Sequence, residues 1–367
     1  MVKPGNSGTP FSQRKRKYLE ENYRRFSDSR LAKALDIDKK SVRQVLAENG
    51  LKRSAKEEQD IRADSTNPPE YLAELPLPQK SNRLERKLVL PALIVFFLTF
   101  TIYIFTLAPT VTGEDSGELV TAAYALGVAH PPGYPLWCLL GKTFSLIPAG
   151  DIAYRINLMS AFWASAAAVC LFLASFILTG SIAASVSAGL SFAFFTDFWA
   201  QSVIAEVYTL NIFLISLLLL LFLLYYRNRD VRLVLLSALV AGLAMAHHNT
   251  ATSVIGLAAL FLIYISPRRL LKGKIIGASI LLFLLALSLY LYLPIRSAAD
   301  PVMDWGNPET LKSFLDHISR QQYAFGFTEN ARTVPVFFSQ LSSAGKMAAS
   351  QGTILFPVLA VVGLSLL

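Results

Sequence analysis

The chain has 367 residues, of which 53% are hydrophobic and only 16% are charged, whereas soluble globular domains carry roughly 25% charged residues. This composition excludes a disordered chain, a fibrous protein and a single ordinary soluble domain. The two cysteines cannot form a disulfide scaffold and lack the paired spacing of a zinc site. The net charge of +9 is uneven, because residues 1–87 hold 20 Lys and Arg against 13 Asp and Glu, and residues 88–367 hold 14 against 12. We therefore predict a basic head followed by a long apolar body.

Residues 1–53 predict a small cytoplasmic domain of three helices, with apolar positions at the spacing of a helix-turn-helix. Gly50 ends the third helix, and Asp36 stands where such turns often have glycine. If this head binds DNA, the groove-facing residues are Lys39, Lys40, Ser41, Arg43 and Gln44. The alternative is a small adaptor that docks another protein. Residues 54–87 are a polar linker in which four prolines oppose a compact fold.

Eight apolar runs follow the linker and predict an all-α polytopic body, residues 88–367, of about eight transmembrane helices. Four of them approach or exceed the roughly 20 residues that a spanning helix needs, and the others are shorter. The runs are Leu88–Ala108, Ile156–Thr179, Ser181–Thr196, Val207–Tyr226, Leu233–Ala246, Thr250–Ser266, Ile275–Ile295 and Ile354–Leu367. Because the last run reaches the end of the sequence, we expect the protein to continue beyond it.

Lys and Arg in the short connections predict the orientation in the cell membrane. Alternate counting of the spans puts three basic clusters on one side, which we assign to the cytoplasm together with the N-terminus. These clusters lie at residues 83–87, 227–232 and 268–274. The opposite, extracytoplasmic side then receives the long loops 109–155 and 296–353 and most of the remaining ionisable residues. Charges beside apolar spans are costly and usually face a cavity where they have a function.

The first outer loop concentrates acidic residues. Within TGEDSGELVTAAYALGVAHPPG, residues 112–133, three carboxylates stand within five residues: Glu114, Asp115 and Glu118. Asp115 or Ser116 can cap a helix that starts near residue 117, which puts Asp115 and Glu118 on one face. The prolines after His130 stop that helix, and residues 136–147 predict a second helix lying in the membrane interface. A solvated acidic turn is the alternative interpretation.

Several short segments of the sequence resemble those of a known protein family. GEDSGEL, ALGVAHPPGYPL, YRINLMSAF, AEVYTLN, AHHNT and YLPIRSAADPVMDWGNPET together resemble the polytopic GT-C glycosyltransferases of glycosyltransferase family 117, which are related to protein O-mannosyltransferases. The resemblance covers about residues 88–332. It implies transfer of a sugar, with mannose as one candidate, from a polyprenyl-phosphate donor to a protein or glycan hydroxyl at the outer face, with inversion. It also implies an essential acid in the first outer loop, which is Glu114 or Asp115, and we favour Asp115.

The chemistry of the residues agrees with this implication. A carboxylate can act as general base toward an acceptor hydroxyl, and a leaving lipid phosphate needs cations or hydrogen-bond donors. Candidates for the donor phosphate are Arg296, His247, His248 and His130. Candidates for orienting the acceptor are Glu206, Asp304, Trp305 and Arg320. Five have a plainer alternative: interfacial anchor for Arg296, helix caps for His247 and His248, an ion pair with Arg296 for Glu206, and an aromatic belt for Trp305.

Two further expectations and two alternative functions complete the prediction. Asn307 and Pro308 predict the start of an amphipathic helix in the last outer loop. A divalent metal stays open, because acids and histidines are present without a recognised metal-ligand spacing. The alternative functions are a membrane-tethered nucleic-acid-binding sensor and a transporter or lipid flippase. A transporter needs charged residues along its spans, where this chain has almost none.

Overall fold

The computed structural model describes residues 13–24, 26–35, 37–55, 57–58, 86–326 and 334–350. The chain divides into two compact units, one comprising Met1–Ala73 with Leu262–Lys272 and the other Glu74–Phe261 with Gly273–Leu367. The described residues form helices and no strand, with an isolated β-bridge between Val128 and Asp304. This confirms the predicted all-α class.

Three short helices form the head: α1 (Gln13–Asn22), α2 (Asp28–Leu35) and α3 (Lys39–Glu48). Leu19, Leu31 and Val42 are fully buried where the helices meet, so the apolar positions at helical spacing form one small core. The Asp38 side chain accepts the backbone N–H of Ser41 at 2.9 Å and caps α3. The three predicted helices are therefore present, and DNA binding stays a prediction.

The groove-facing candidates of the head differ in their partners. Three hydrogen-bond to carboxylates of the head itself: Ser41 to Asp38 at 2.7 Å, Arg43 to Asp28 at 2.8 Å and Gln44 to Glu48 at 2.9 Å. The ammonium groups of Lys39 and Lys40 are exposed and have no such partner within the described part of the chain. Three of the five side chains that would contact DNA are therefore already hydrogen-bonded within the head.

The remaining helices follow in chain order, and those within residues 262–272 belong to the first unit. They are α4 (Val89–Phe105), α5 (Ser116–Ala125), α6 (Pro135–Ser145), α7 (Ile152–Thr179), α8 (Ile182–Ala193), α9 (Thr196–Ser202), α10 (Tyr208–Asn228), α11 (Val231–Met245), α12 (Ala251–Ile265), α13 (Pro267–Leu270), α14 (Gly273–Leu287), α15 (Tyr292–Ser297), α16 (Leu311–Ile318) and α17 (Val334–Ser350). Short 3₁₀ turns precede α4 and α15 and follow α16.

Four helical segments of the described chain are long and apolar enough to cross a membrane, which makes this a membrane protein. They are Arg86–Phe105, Ile152–Thr179, Tyr208–Asn228 and Gly273–Ser297, and they coincide with the four longest predicted runs. Helices α11 and α12 have 15 residues each and are apolar but shorter. The run at residues 354–367 lies outside the described residues.

The third predicted run is not one straight helix. The chain turns by 68° between α8 and α9, so the two helices count as a single broken span or as a re-entrant segment. Phe194 caps α8 and Phe195 has extended backbone, and α9 then continues to Ser202, beyond the predicted end of the run. The number of spans is therefore four in the described chain, or five if the bent pair is one span.

Helix α7 lies at the centre of the bundle, packed against α4, α8 and α10, while α10 also packs against α11 and α11 against α14. Small residues such as Ala161, Ala164 and Ala168 are fully buried on α7 and allow its neighbours to approach closely. Gly242 serves the same purpose on α11, because a Cβ at this position would collide with the backbone of Phe283.

The loops at one end of this bundle bind to one another. Asn157, in the first turns of α7, donates to the carbonyls of Ala108 and Thr110. The indole N–H of Trp137 donates to the carbonyl of Glu206 at 3.2 Å. The first two bonds connect α7 to the segment after α4, and the third connects α6 to the segment before α10. Segments of the predicted outer side therefore lie together at this end. Which side of the membrane this end faces stays a prediction.

Helix α6 covers most of the predicted interfacial segment, residues 136–147. Trp137 and Cys138 are fully buried where the helix packs against α5 and α7, and its place in the membrane interface stays a prediction. The last amphipathic helix starts at Leu311 rather than beside Pro308. Thr310 is its N-cap and forms a capping box with Ser313, which satisfies more backbone N–H groups than Asn307 would.

Candidate functional site

The acidic loop lies at the start of α5. Asp115 occupies the N-cap position, but its side chain caps nothing and remains exposed. Glu114, just before it, has a φ of 60°, a left-handed conformation that non-glycine residues seldom adopt. One turn into the helix, Glu118 is half-buried. The loop therefore presents two exposed carboxylates, Glu114 and Asp115, beside a partly desolvated one, Glu118.

Glu118 holds His130 by two hydrogen bonds. One carboxylate oxygen accepts the backbone N–H of His130 at 2.6 Å, and the other lies 2.9 Å from the ring Nδ1. Because a carboxylate only accepts, Nδ1 carries a proton, and in the neutral ring Nε2 is then an acceptor. The Tyr134 hydroxyl lies 3.1 Å from Nε2 and donates to it. The hydrogen bonds thus run in one direction, from the Tyr134 hydroxyl to His130 and from His130 to Glu118.

Asp115 completes this cluster from the solvent side. Its carboxylate oxygen lies 3.9 Å from His130 Nε2, and ligand atoms of Asp115, Glu118 and His130 all lie within 4.8 Å of one another. Two carboxylates and an imidazole are a donor set that suits a divalent cation. A metal there would have to replace the His130 hydrogen bond to Glu118 or to Tyr134.

The Tyr134 ring connects this cluster to the histidine pair between α11 and α12. It stacks on His248 with ring centroids 6.0 Å apart and an interplanar angle of 20°, and it meets His247 edge-on at the same separation. Tyr134 itself is 2% exposed and has a φ of 44°. The sequence analysis did not select Tyr134, and its only signal was its position directly after the HPPG bend.

The two histidines are uncharged at neutral pH. His247 is fully buried, which lowers its pKa to about 3, and its Nε2 donates to the carbonyl of Val207 at 2.8 Å. The pKa of His248 is lowered to about 4, first by burial and then by the positive charge of Arg320. Neither histidine therefore supplies positive charge to a phosphate, although both can supply or accept a hydrogen bond.

Glu206 is the most deeply buried acid of the site. It is 2% exposed, and burial raises its pKa to about 7, with further contributions from the negative charges of Asp115 and Glu114. The predicted ion pair with Arg296 is absent from the described residues, because the Arg296 guanidinium donates to the carbonyl of Leu126 at 2.6 Å. Burial and the neighbouring carboxylates therefore favour the protonated form of Glu206.

Arg296 and Asp304 have structural partners. Besides Leu126, Arg296 contacts the carbonyl of Ala125 and so satisfies the C-terminal end of α5. Asp304 accepts from the Ser297 hydroxyl at 2.9 Å, and its second oxygen is buried without a partner. Arg296 is therefore engaged with the end of α5, and both its role at the donor phosphate and its alternative role as an interfacial anchor stay predictions.

Arg320 and Trp305 approach the site from the last outer loop. Arg320 is half-buried, lies over the Tyr323 ring at 4.9 Å, and acts electrostatically on both Tyr134 and His248. It forms no ion pair among the described residues. The Trp305 ring meets the His130 ring edge-on at 6.1 Å. The site therefore has a carboxylate side, around Asp115, and a cationic side, around Arg320.

Comparison with known proteins points to one family. Residues 115–272 match the family model described as the N-terminal domain of the protein O-mannosyl-transferase TMEM260. The mouse protein O-mannosyl-transferase TMEM260 is 36% identical over 243 residues, which cover 62% of this chain and 34% of the mouse protein. The Dictyostelium discoideum protein O-mannosyl-transferase tmem260 is 30% identical over 260 residues, 66% of this chain and 32% of that protein. No solved structure matches.

The predicted resemblance to protein O-mannosyltransferases is thereby confirmed. The chain spans about a third of the length of the curated relatives it matches. The matched segment begins at Asp115 and includes Glu118, His130, Glu206 and His248, whereas Arg320 lies beyond it.

Proposed function

We propose that this chain carries the catalytic part of a membrane glycosyltransferase that moves mannose from a polyprenyl-phosphate donor to a hydroxyl group of a protein at the extracytoplasmic face. The observation that carries this proposal is the exposed Asp115 carboxylate beside the Glu118–His130 pair, with His130 in contact with Tyr134. The named relatives support the reaction class and the sugar.

In this reaction the acceptor oxygen attacks the anomeric carbon while the bond from that carbon to the phosphate oxygen breaks. The acceptor proton passes to Asp115, and the phosphate leaves with the bonding electron pair. Direct displacement inverts the configuration at the anomeric carbon. Asp115 suits the role of base because it is exposed and caps no helix, so its lone pairs are available.

Glu118 and His130 act as positioning groups in this proposal. The two hydrogen bonds from Glu118 hold the His130 ring, whose Nε2 faces both Tyr134 and Asp115. Arg320, which is half-buried and has no ion-pair partner among the described residues, supplies positive charge for the leaving phosphate.

The test is transfer by the purified full chain from polyprenyl-phosphate mannose to a peptide that contains Ser and Thr. We expect Asp115→Asn to lower the rate by about 10²- to 10⁴-fold, the usual contribution of a general base. Asp316→Asn is the matched control, because Asp316 pairs only with Lys312 on the exposed side of α16. Full activity of Asp115→Asn would refute the assignment of the base, and absence of any transfer by the unmodified chain would refute the proposed function.

A further inference from the structure

The turn between α11 and α12 contains a hydrogen-bond chain that the reaction as described does not use. The Asn211 amide donates to the Thr250 hydroxyl at 3.0 Å, and that hydroxyl lies 2.8 Å from Nδ1 of His248. Asn211 is 5% exposed, whereas Thr250 is exposed at the start of α12. The chain thus runs from a buried amide on α10 to an imidazole at the site.

The direction of this chain follows from a third bond. The backbone N–H of Thr250 donates to His248 Nδ1 at 3.3 Å. A backbone N–H can only donate, so Nδ1 accepts and carries no proton. The Thr250 hydroxyl accepts a hydrogen bond from the Asn211 amide and donates one to Nδ1. In a neutral ring the proton of His248 must consequently sit on Nε2.

Nε2 of His248 is available to a ligand. It has no hydrogen-bond partner among the described residues, and it is not among the fully buried atoms that lack one, in contrast to Nδ1 of His247. The ring faces Tyr134 on one side and the Tyr208 ring at 6.1 Å on another, which limits its rotation. The positive charge of Arg320 reaches the same ring.

We infer that Asn211 and Thr250 hold His248 in the tautomer whose Nε2–H donates a hydrogen bond to an oxygen of the donor phosphate, beside Arg320. This inference rests on the proposed function and deepens it. His248 acts as a neutral donor and Arg320 as the cation. Thr250 and Asn211 are positioning residues that touch no substrate. As the anomeric bond breaks, the phosphate gains negative charge, so this donor stabilises the transition state more than the bound substrate.

The kinetic test compares two valine substitutions of the purified full chain. Thr250→Val keeps the shape of the side chain and removes the hydroxyl, but it leaves the backbone N–H that also donates to Nδ1. We expect kcat to fall roughly 10-fold with a small change in KM, because one of the two bonds that favour an unprotonated Nδ1 is lost and the other tautomer becomes populated. Thr250→Ser restores the hydroxyl and should keep kcat within about threefold. Thr252→Val, two residues further along, removes a hydroxyl that contacts only Met245 and should leave kcat unchanged.

The spectroscopic test reads the tautomer directly. The chain has only four histidines, so each can be assigned in the ¹⁵N spectrum of ¹⁵N-histidine-labelled protein from single His→Gln variants. We expect His248 to show a protonated Nε2 and an unprotonated Nδ1, and Thr250→Val to show a mixture of tautomers. A protonated Nδ1 in the unmodified chain, or unchanged kcat in Thr250→Val, overturns the inference. If no donor supports transfer, the proposed function fails, and with it the part of the inference that assigns His248 to the donor phosphate. The ¹⁵N spectrum still distinguishes the two failures, because it reports separately whether the tautomer was assigned correctly.

Discussion

The head and the membrane body contain hydrogen bonds of nearly equal length whose surroundings differ. In the head, Arg43 donates to Asp28 at 2.8 Å, and the Arg43 side chain is 72% exposed. In the body, His130 meets Glu118 at 2.9 Å, and the two side chains are 10% and 15% exposed. Water screens the first pair and competes for it, whereas the second lies where an unpaired group is costly. Burial, more than distance, decides which of these bonds the protein depends on.

Among the variants that compare the head with the body, Glu118→Gln should have the largest effect. We expect Glu118→Gln to lower sugar transfer by at least tenfold and the free energy of unfolding by about 1–3 kcal/mol, because His130 loses a charged acceptor in a desolvated site. Transfer assays and thermal unfolding in detergent measure the two effects. Glu309→Gln, at an exposed loop position, is the control. If Glu118→Gln were as stable and as active as the unmodified chain, the buried pair in the body would matter no more than the exposed pair in the head.

The pH dependence of stability sharpens the comparison further. The folded pKa of Glu206, about 7, lies above its ordinary value of 4.5, so its contribution is fully present below pH 4.5 and is lost as pH rises through 7. We expect the melting temperature of the unmodified chain to fall relative to Glu206→Gln between these values and to level off above them. If the melting temperatures of the two chains changed in parallel from pH 4.5 to 8, this would contradict a buried Glu206 beside Asp115, Glu114 and His130.

The smallest effect is expected in the head. Arg43→Ala removes one partner of an exposed ion pair, which is typically worth about 0–1 kcal/mol. Amide hydrogen exchange of α3 in the full chain measures this change. Because Asp28 also accepts from Arg53, whose side chain is only 12% exposed, Asp28→Asn should increase exchange more than Arg43→Ala. Equal or larger effects of Arg43→Ala would show that exposure does not govern the strength of these bonds.

Several parts of the site follow from local sequence. The first outer loop concentrates Glu114, Asp115 and Glu118 where charge is otherwise scarce, and the helix that starts at Ser116 brings two of these acids toward one face. The choice of His248 as a site residue came from its place between two short apolar runs. Its proposed role did not, because Asn211, which donates to the Thr250 hydroxyl beside His248, is 37 residues away in sequence and carries no local signal.

The sequence by itself determined the helices, the four long apolar segments and the concentration of acids in one loop, because helical periodicity, capping and hydropathy depend on near neighbours. Tertiary structure alone decided that Arg296 caps a helix 170 residues earlier, that α8 and α9 bend, and that Tyr134 joins His130 to His248. These contacts arise when helices pack and bury polar groups that must then find partners. Which partner each group finds depends on the geometry of the whole bundle and not on the residues beside it.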